Sequence, residues 1–273
     1  MYFLGEAWDW HILLNPYEQA VNELRVKIES YIKEFELIDQ LSPIERVEGR
    51  VKRVGSILDK ANRKNIPLTN FYEMAELIED IAGVRVICRF VEDIEKVVLL
   101  LRKRNDLKIL TERDYITKRK PSGYRSYHIH IRYPVTTMKG NTEVLAELQI
   151  RTMAMNYWAA IEHTLKYKYN GNIPDDVHKR LVKSAEAAFA LDHEMGVIRG
   201  EIVEAHRAVE QKNDIVDKIL HNMKNLFTYA RLEKVDELNK EFISINEEGS
   251  LEKLNAFNQQ LRMMAQLYKV DYF

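Results

Sequence analysis

The stretch RSYHIHIRYPVTTMKGNTEVLAELQI (125–150) predicts two antiparallel β-strands joined by a turn. Residues 125–135 and 143–150 alternate between apolar and polar side chains, which is the period of a strand with one buried face. Between them, KGN at 139–141 provides the glycine and asparagine that are typical of tight turns. We therefore expect a β-hairpin here, and it is the strongest strand signal in the chain.

Further strands and helices are predicted on both sides of this hairpin. The runs GVRVICRF (83–90) and LKILTERDY (107–115) predict two more strands. Apolar residues at helical spacing predict helices over 16–38, 70–79, 92–104 and 152–169, and from 175 to the C-terminus with a break at NEEGS (246–250). This order is typical of an α+β fold, in which helices flank a mixed β-sheet and a helical appendage follows.

The segment 42–64 is predicted to be a helix as well. Ser42 suits the N-cap, Pro43 the first helical position, and Glu45 would complete a capping box. A helix here would bring five basic residues within roughly 40° of one another: Arg46, Arg50, Arg53, Lys60 and Lys64. A solvated charged face is one explanation, but such faces usually mix both signs, so we expect this one to bind an anion.

The composition is that of an ordinary globular protein. The 273 residues are 46% hydrophobic and 30% charged. The chain has no apolar run of 18 residues and no basic, cleavable N-terminus, so we expect neither a membrane span nor a signal peptide, and a cytoplasmic location. The single cysteine, Cys88, lies in an apolar run, which excludes a disulfide framework and a cysteine metal cluster.

The chain is expected to divide into a domain at 1–211 and a helical tail at 212–273. In the tail, apolar residues recur at helical spacing: Ile215, Ile219, Met223 and Leu226, then Leu251, Leu254, Phe257, Leu261 and Met264. Apolar helix faces need a partner. We expect these faces to pack on the first domain or on a neighbouring subunit.

Three predicted strands place ionisable side chains on a single face. The residues of that face include Arg85 and Arg89 in one strand, His128, His130 and Arg132 in the next, and Glu143, Glu147, Gln149 and Arg151 in the last. For any one strand, a solvated sheet face is a sufficient explanation. The mixture of Arg, His, Gln and a central Glu instead favours a concave site for an anionic ligand.

Two carboxylates from different elements accompany these basic residues. Asp80 precedes the strand at 83–90, and Glu147 lies in the middle of its strand. Mg²⁺ that carries phosphate oxygens is typically held by one or two carboxylates. Ion pairs with Arg85 and Arg151 would explain the same two residues, so the pattern leaves both interpretations open.

Five motifs follow one another along the chain: GRVK (49–52) with Ser56, DIAGVRVIC (80–88), RDYITKRKPSGYRSYH (113–128), AELQIRT (146–152) and AMNYWAAIEH (154–163). In order and spacing, over residues 16–210, they resemble the synthetase domain of RelA/SpoT-type alarmone synthetases, especially the small single-domain GTP pyrophosphokinases. The resemblance implies a nucleotidyltransferase-like fold. It also implies transfer of the β,γ-pyrophosphate of ATP to the ribose 3′-OH of GDP or GTP, with GMP as a further candidate acceptor, to make (p)ppGpp in the stringent response.

The resemblance further implies roles for individual residues. Asp80 and Glu147 would hold Mg²⁺, and Glu147 could also take the proton of the 3′-OH. ATP would be bound by Arg50, Lys52, Ser56, Lys60, Arg63 and Arg85, with the adenine between Arg50 and Arg85. The guanine nucleotide would be bound by Arg113, Lys120, Tyr124, Arg125, His128, Gln149 and Asn156, with Tyr124 stacked on the base.

Partners and alternative functions complete the expectations. By resemblance the protein is a homo-oligomer, with a tetramer expected, and it does not use a membrane. The sequence has no HDxxED motif, so we expect no alarmone hydrolase activity. A single-stranded RNA-binding module is one alternative, because tyrosines lie among basic residues; weak RNA binding could also coexist with catalysis. An inactive oligomeric scaffold is the other.

Overall fold

The computed structural model describes residues 8–168, 174–227 and 232–268. The chain forms two compact units, Met1–Gly196 and Val197–Phe273. The division expected at 211/212 lies inside a long helix and stays a prediction. Within the described ranges, no helix combines the length and the apolar character that crossing a membrane requires.

The first unit is built on a five-stranded sheet with the order β1-β2-β5-β4-β3. The strands are β1 (Ile44–Val51), β2 (Ala82–Cys88), β3 (Lys108–Asp114), β4 (Tyr127–Thr137) and β5 (Gly140–Thr152). Strands β2 and β5 run parallel, and the other neighbours run antiparallel. The mixed sheet and the predicted hairpin are thereby confirmed. At the hairpin turn Gly140 has a φ of 107°, which few other residues tolerate.

Helices cover the sheet and continue into the second unit. They are α1 (Trp10–Leu37), α2 (Val54–Arg63), α3 (Phe71–Leu77), α4 (Val91–Arg102), α5 (Met153–Lys168), α6 (Asp175–Phe227), α7 (Leu232–Glu248) and α8 (Leu251–Tyr268). Helix α1 buries Ala20, Leu24 and Ile28 in the core that the sheet shares. The helices predicted outside 42–64 are confirmed where the structure describes them; residues 169, 228–231 and 269–273, which the predictions also cover, lie outside the described residues.

The predicted helix over 42–64 is wrong in its first half. Residues Ile44–Val51 form the edge strand β1, and α2 begins only at Val54. Ser42 accepts a hydrogen bond from the backbone N–H of Ile44 in a turn and caps no helix. The basic arc therefore does not exist on a single helix: Arg46 and Arg50 lie on a strand, and Lys60 lies on α2.

Packing against α1 explains why this segment is extended. Ile44 and Val47 are buried in the core to which α1 also contributes. Gly49 lies so close to α1 that a Cβ atom at this position would be 2.5 Å from Cγ1 of Val21. The pairing with β2 and this close approach to α1 outweigh the local capping signal.

The tail forms a core of its own. Residues buried together in the second unit are Ile219, Met223, Leu226, Leu238, Leu254, Phe257, Leu261 and Ala265. The apolar faces of the tail thus cover one another, and the expectation that they pack on the first domain or another subunit is wrong for these residues. Within this core the side-chain amides of Asn222 and Asn258 are hydrogen-bonded at 2.9 Å.

We expect Gly49→Ala to lower the free energy of unfolding by about 1–3 kcal/mol, because the new methyl group overpacks the contact with Val21. Urea denaturation monitored by circular dichroism measures the change. Gly55→Ala in α2 is the matched control, since a Cβ there meets nothing within 4 Å, and it should be neutral or slightly stabilising. Equal losses in the two variants would contradict the packing argument.

Candidate active site

The polar face of the sheet brings the candidate residues into adjacent rows. Directly paired residues form two rows: Arg50, Gly83, Glu147, His130 and Thr111 in one, and Glu48, Arg85, Gln149, His128 and Arg113 in the other. A pocket on this face is lined by Arg50, Asp80, Gly83, Val84, Arg85, Glu147 and Gln149. Both carboxylates and both arginines predicted to flank adenine therefore line the same pocket.

Glu147 is a buried anion at the centre of this face, with 8% of its surface exposed. Its Oε1 is 2.7 Å from Nδ1 of His128 and 3.3 Å from Nε2 of His130, and its Oε2 accepts a hydrogen bond from Gln149 at 2.7 Å. Burial alone would raise the pKa of Glu147, but the hydrogen bonds with the two histidines outweigh it and hold that pKa well below its usual range. The carboxylate is therefore charged at neutral pH.

Asp80 lies just before β2 and is held by two lysines. Its Oδ2 accepts a hydrogen bond from Lys52 at 2.9 Å, and its Oδ1 accepts one from Lys60 at 2.8 Å. Burial raises the pKa of Asp80, but the hydrogen bonds from Lys60 and Lys52 together lower it by more than burial raises it. The net shift of this pKa is therefore downward. The structure thus brings together two predicted phosphate-binding lysines and a predicted metal ligand.

The structure does not show the alternative ion pairs, in which Arg85 and Arg151 would be the partners of the two carboxylates. Arg85 lies 4.0 Å from Glu48 instead. Burial lowers the pKa of Arg85, and the neighbouring charge of Arg50 lowers it further. Arg151 is buried, and its Nε atom makes no hydrogen bond within the described part of the chain. Arg151 lies on the polar face that the alternation predicts, and the resemblance implies no binding role for it.

An aromatic cluster adjoins the buried carboxylate. The hydroxyl of Tyr124 is 2.9 Å from Nε2 of His128, so hydrogen bonds run from Tyr124 through His128 to Glu147. The Tyr115 ring packs edge-on against His128 at 5.2 Å between centroids. Lys120 Nζ lies 4.4 Å from the Tyr115 ring centroid and 5.0 Å from that of Tyr124. Neither Tyr115 nor His130 was among the predicted site residues, although Tyr115 lies in the RDY motif and His130 on the predicted polar face.

The remaining candidates have different surroundings. Ser56 and Arg63 are exposed on α2. Arg113 lies 3.6 Å from Glu79. Asn156 is in the first turn of α5, and its Oδ1 is buried with no hydrogen-bond partner among the described residues. Arg125 contacts α6 through Glu186 and is not among the residues that line the pocket.

The chemistry of the donors suits an anionic ligand and a hard cation. Among the described residues no group of three or more His, Cys, Asp or Glu side chains could enclose a metal ion. Asp80 and Glu147 nevertheless line one pocket, and both oxygens of Asp80 and the Oε2 of Glu147 each accept only one of the observed hydrogen bonds, which leaves each a second lone pair. This donor set fits Mg²⁺, which takes one or two carboxylates and completes its shell with phosphates and water.

Removal of either lysine should raise the pKa of Asp80, because each one stabilises the charged carboxylate. Carboxyl ¹³C titration of Lys52→Met and Lys60→Met measures this shift. Lys64→Met is the control, since the Lys64 ammonium donates to the carbonyl of Leu77 and not to Asp80. An unchanged Asp80 midpoint in both test variants would mean that the lysines do not set its charge.

Comparison with known proteins identifies the family. Residues 49–172 match the family described as "Region found in RelA / SpoT proteins". The chain is 52% identical over 203 residues to the GTP pyrophosphokinase YjbM of Bacillus subtilis (strain 168), an alignment that covers 74% of this chain and 94% of that protein. It is 42% identical over 194 residues to the GTP pyrophosphokinase YwaC of the same organism, covering 71% and 92%.

Solved structures agree with these relatives. Small alarmone synthetase 1 from Bacillus subtilis, bound to its product pppGpp, has a TM-score of 0.68 and 52% identity, with 71% of this chain and 97% of that chain covered. A GTP pyrophosphokinase family protein from Streptococcus pneumoniae has a TM-score of 0.68 and 48% identity, with 73% and 97% covered. The resemblance carried by the five motifs is thereby confirmed, and the chain belongs to the RelA/SpoT family, among the small alarmone synthetases.

Proposed function

We propose that this protein is a GTP pyrophosphokinase, which transfers the β,γ-pyrophosphate of ATP to the ribose 3′-OH of GDP or GTP and so makes ppGpp or pppGpp. The observation that carries the proposal is that Asp80, Glu147, Arg50 and Arg85 line the same pocket in a chain 52% identical to a GTP pyrophosphokinase. Pyrophosphoryl transfer depends on positioning and on charge stabilisation, and this pocket provides groups for both.

ATP is assigned to the β1–β2 side of the pocket. Arg50 and Arg85 project from adjacent strands on one face, where two planar guanidinium groups can hold a purine between them. Lys52 and Lys60 already meet at a carboxylate, so their ammonium groups can turn to phosphate oxygens without leaving the site. Ser56 and Arg63 on α2 would complete the phosphate contacts.

Asp80 and Glu147 would hold Mg²⁺. When bound there, the ion would neutralise charge on the phosphate oxygens and polarise the group that is transferred. The low pKa of Glu147 makes this carboxylate a weak proton acceptor, which supports metal binding over general-base catalysis as its main role.

The guanine nucleotide is assigned to the β4 side of the pocket. Tyr124 would offer its ring to the base, with His128, Gln149 and Asn156 as hydrogen-bonding groups and Arg113 and Lys120 as contacts for phosphates. The buried Oδ1 of Asn156, which has no hydrogen-bond partner in the described ranges, is an acceptor that could pair with the N–H groups of guanine. The hydrogen bonds from Tyr124 through His128 to Glu147 support this assignment, since a base stacked on Tyr124 would lie near the carboxylate that is proposed to hold Mg²⁺.

The location and the oligomeric state of the enzyme are also proposed. We infer a cytoplasmic homo-oligomer, a tetramer by resemblance to its family, and light scattering of the purified protein tests this mass. An RNA-binding module explains the basic residues and tyrosines, but it gives no use to the two carboxylates that line the pocket. An inactive scaffold does not explain why the charged groups converge.

The direct test of the function is incubation of the protein with ATP, Mg²⁺ and GMP, GDP or GTP, followed by separation of the nucleotides. We expect a product that carries a 3′-pyrophosphate from at least one acceptor. A protein that binds RNA but forms no such product from any of the three would overturn the proposal.

Tyr124→Ala should raise the KM for the guanine nucleotide about tenfold or more, since stacking on an aromatic ring contributes about 1–2 kcal/mol. Tyr124→Phe retains the ring and should have a mild effect. Steady-state kinetics with varied acceptor measures the change. If Tyr124→Ala uses the acceptor as well as the wild type does, this tyrosine is not the stacking platform.

Asp80→Asn and Glu147→Gln should each reduce turnover by about 10²–10³-fold, the scale of losing one preorganised electrostatic group. ATP affinity should persist, because either change leaves the pocket more positive. Kinetics and calorimetry at saturating Mg²⁺ separate the two effects, and Asp59→Asn on the exposed face of α2 is the control. Near wild-type turnover in both variants would refute the metal assignment.

A further inference from the structure

We propose that Arg125 and Glu186 form a positioning pair that fixes the loop at residues 115–125, here called the Tyr124 loop, for the acceptor nucleotide. The effect of this pair on acceptor binding rests on the proposed function. The contacts that hold the loop are observed independently of that function. It gives Arg125 a role different from the phosphate contact that the motif resemblance implies, and it gives α6 a role in acceptor binding.

Arg125 contacts protein groups on several sides through its terminal nitrogens, while its buried Nε has no hydrogen-bond partner among the described residues. Its guanidinium donates to the carbonyl oxygen of Ile116 at 2.8 Å and to Oε2 of Glu186 at 3.3 Å. The same group lies over the ring of Phe189, 3.9 Å from its centroid. Only 10% of the side chain is exposed. An arginine held in this way links the start of the loop to α6 and has little surface left for a nucleotide.

The residue on the other side of Tyr124 is also docked on α6. Gly123 has a φ of 86°, and a Cβ atom at this position would lie 2.6 Å from Cβ of Ala185. The loop is closed on itself as well, because Gly123 donates its backbone N–H to the carbonyl of Lys120 at 2.9 Å. Tyr124 therefore lies between two residues that both contact one stretch of α6.

That stretch of α6 is itself fixed to the site. Trp158 of α5 donates to the carbonyl of Leu181 and to Oγ of Ser184, both at 3.0 Å. Thr152 at the end of β5 donates to the buried carboxylate of Asp192. The helix thus rests on the strand that carries Glu147, and the loop rests on the helix. The position of the Tyr124 ring relative to Glu147 follows from these two sets of contacts.

This geometry and a direct phosphate contact predict opposite effects of Glu186→Gln. If Glu186 positions the loop, its neutralisation loosens the Tyr124 ring and weakens binding of every guanine nucleotide to a similar extent. If Arg125 binds phosphate, the same change frees a cation and strengthens binding, most of all for GTP, which carries the most phosphate. The sign of the effect and its dependence on phosphate number therefore separate the two roles.

The experiment uses Arg125→Lys, Glu186→Gln and the double variant in the full chain, with Glu194→Gln as the control on an exposed position of the same helix. Steady-state kinetics gives KM for GMP, GDP, GTP and ATP. Hydrogen exchange of the loop peptide is measured without nucleotides. Arg119→Gln isolates the second contact of Glu186, a 2.6 Å ion pair whose arginine is 46% exposed; we expect a smaller effect from it.

We expect Arg125→Lys and Glu186→Gln each to raise KM about three- to tenfold for every acceptor that the wild type uses, with KM for ATP unchanged. Exchange in the loop should accelerate in both, and the double variant should be no worse than the stronger single one. A lower KM in Glu186→Gln, or a loss in Arg125→Lys that grows from GMP to GTP, would overturn the positioning role. So would unchanged loop exchange. If the wild type makes no alarmone, the proposed function fails, while the exchange data still decide whether the pair holds the loop.

Discussion

The burial of the Glu147 charge is the constraint on which the rest of the site depends. A carboxylate that is 8% exposed must be compensated by donors, and here the donors are His128 and His130 from the neighbouring strand and Gln149 from its own. This fixes the pairing of β4 with β5, because a slip of β5 by one residue would turn Glu147 into the apolar core, on the opposite face from His128 and His130.

Much of the fold could be predicted because its signals are periodic. The hairpin β4–β5 and the strand β2 alternate between a buried and a polar face, and that pattern is visible in the sequence alone. The segment 42–64 was mispredicted because its capping residues are local, whereas the partner that favours a strand, Val21 of α1, is distant in sequence. Only packing between distant elements decides such a segment.

The types of site residue could be predicted better than their partners. The polar face identified Glu147, Gln149 and His128 together. The alternation of the strands could not show that Lys52 and Lys60 meet at Asp80. Lys52 follows the end of β1, Lys60 is in α2, and Asp80 is in a turn, so the three residues belong to separate elements. Nor could the alternation show that Arg125 turns towards α6, a helix far along the chain. Direction within a loop depends on tertiary contacts that no periodicity encodes.

The hydrogen-bonded amides in the tail restrict both the alignment of its helices and the residues that two of its positions can accept. Asn222 and Asn258 meet inside an otherwise apolar helical core. If α8 slid along α6 by one turn, about 5.4 Å, the amides would part and face hydrocarbon, at a cost of about 1–3 kcal/mol for each unsatisfied group. The hydrogen bond between the amides therefore favours one axial alignment of α8 against α6. Replacement of Asn222 by an apolar residue would remove this partner of the buried Asn258 amide, so the two positions are expected to change together.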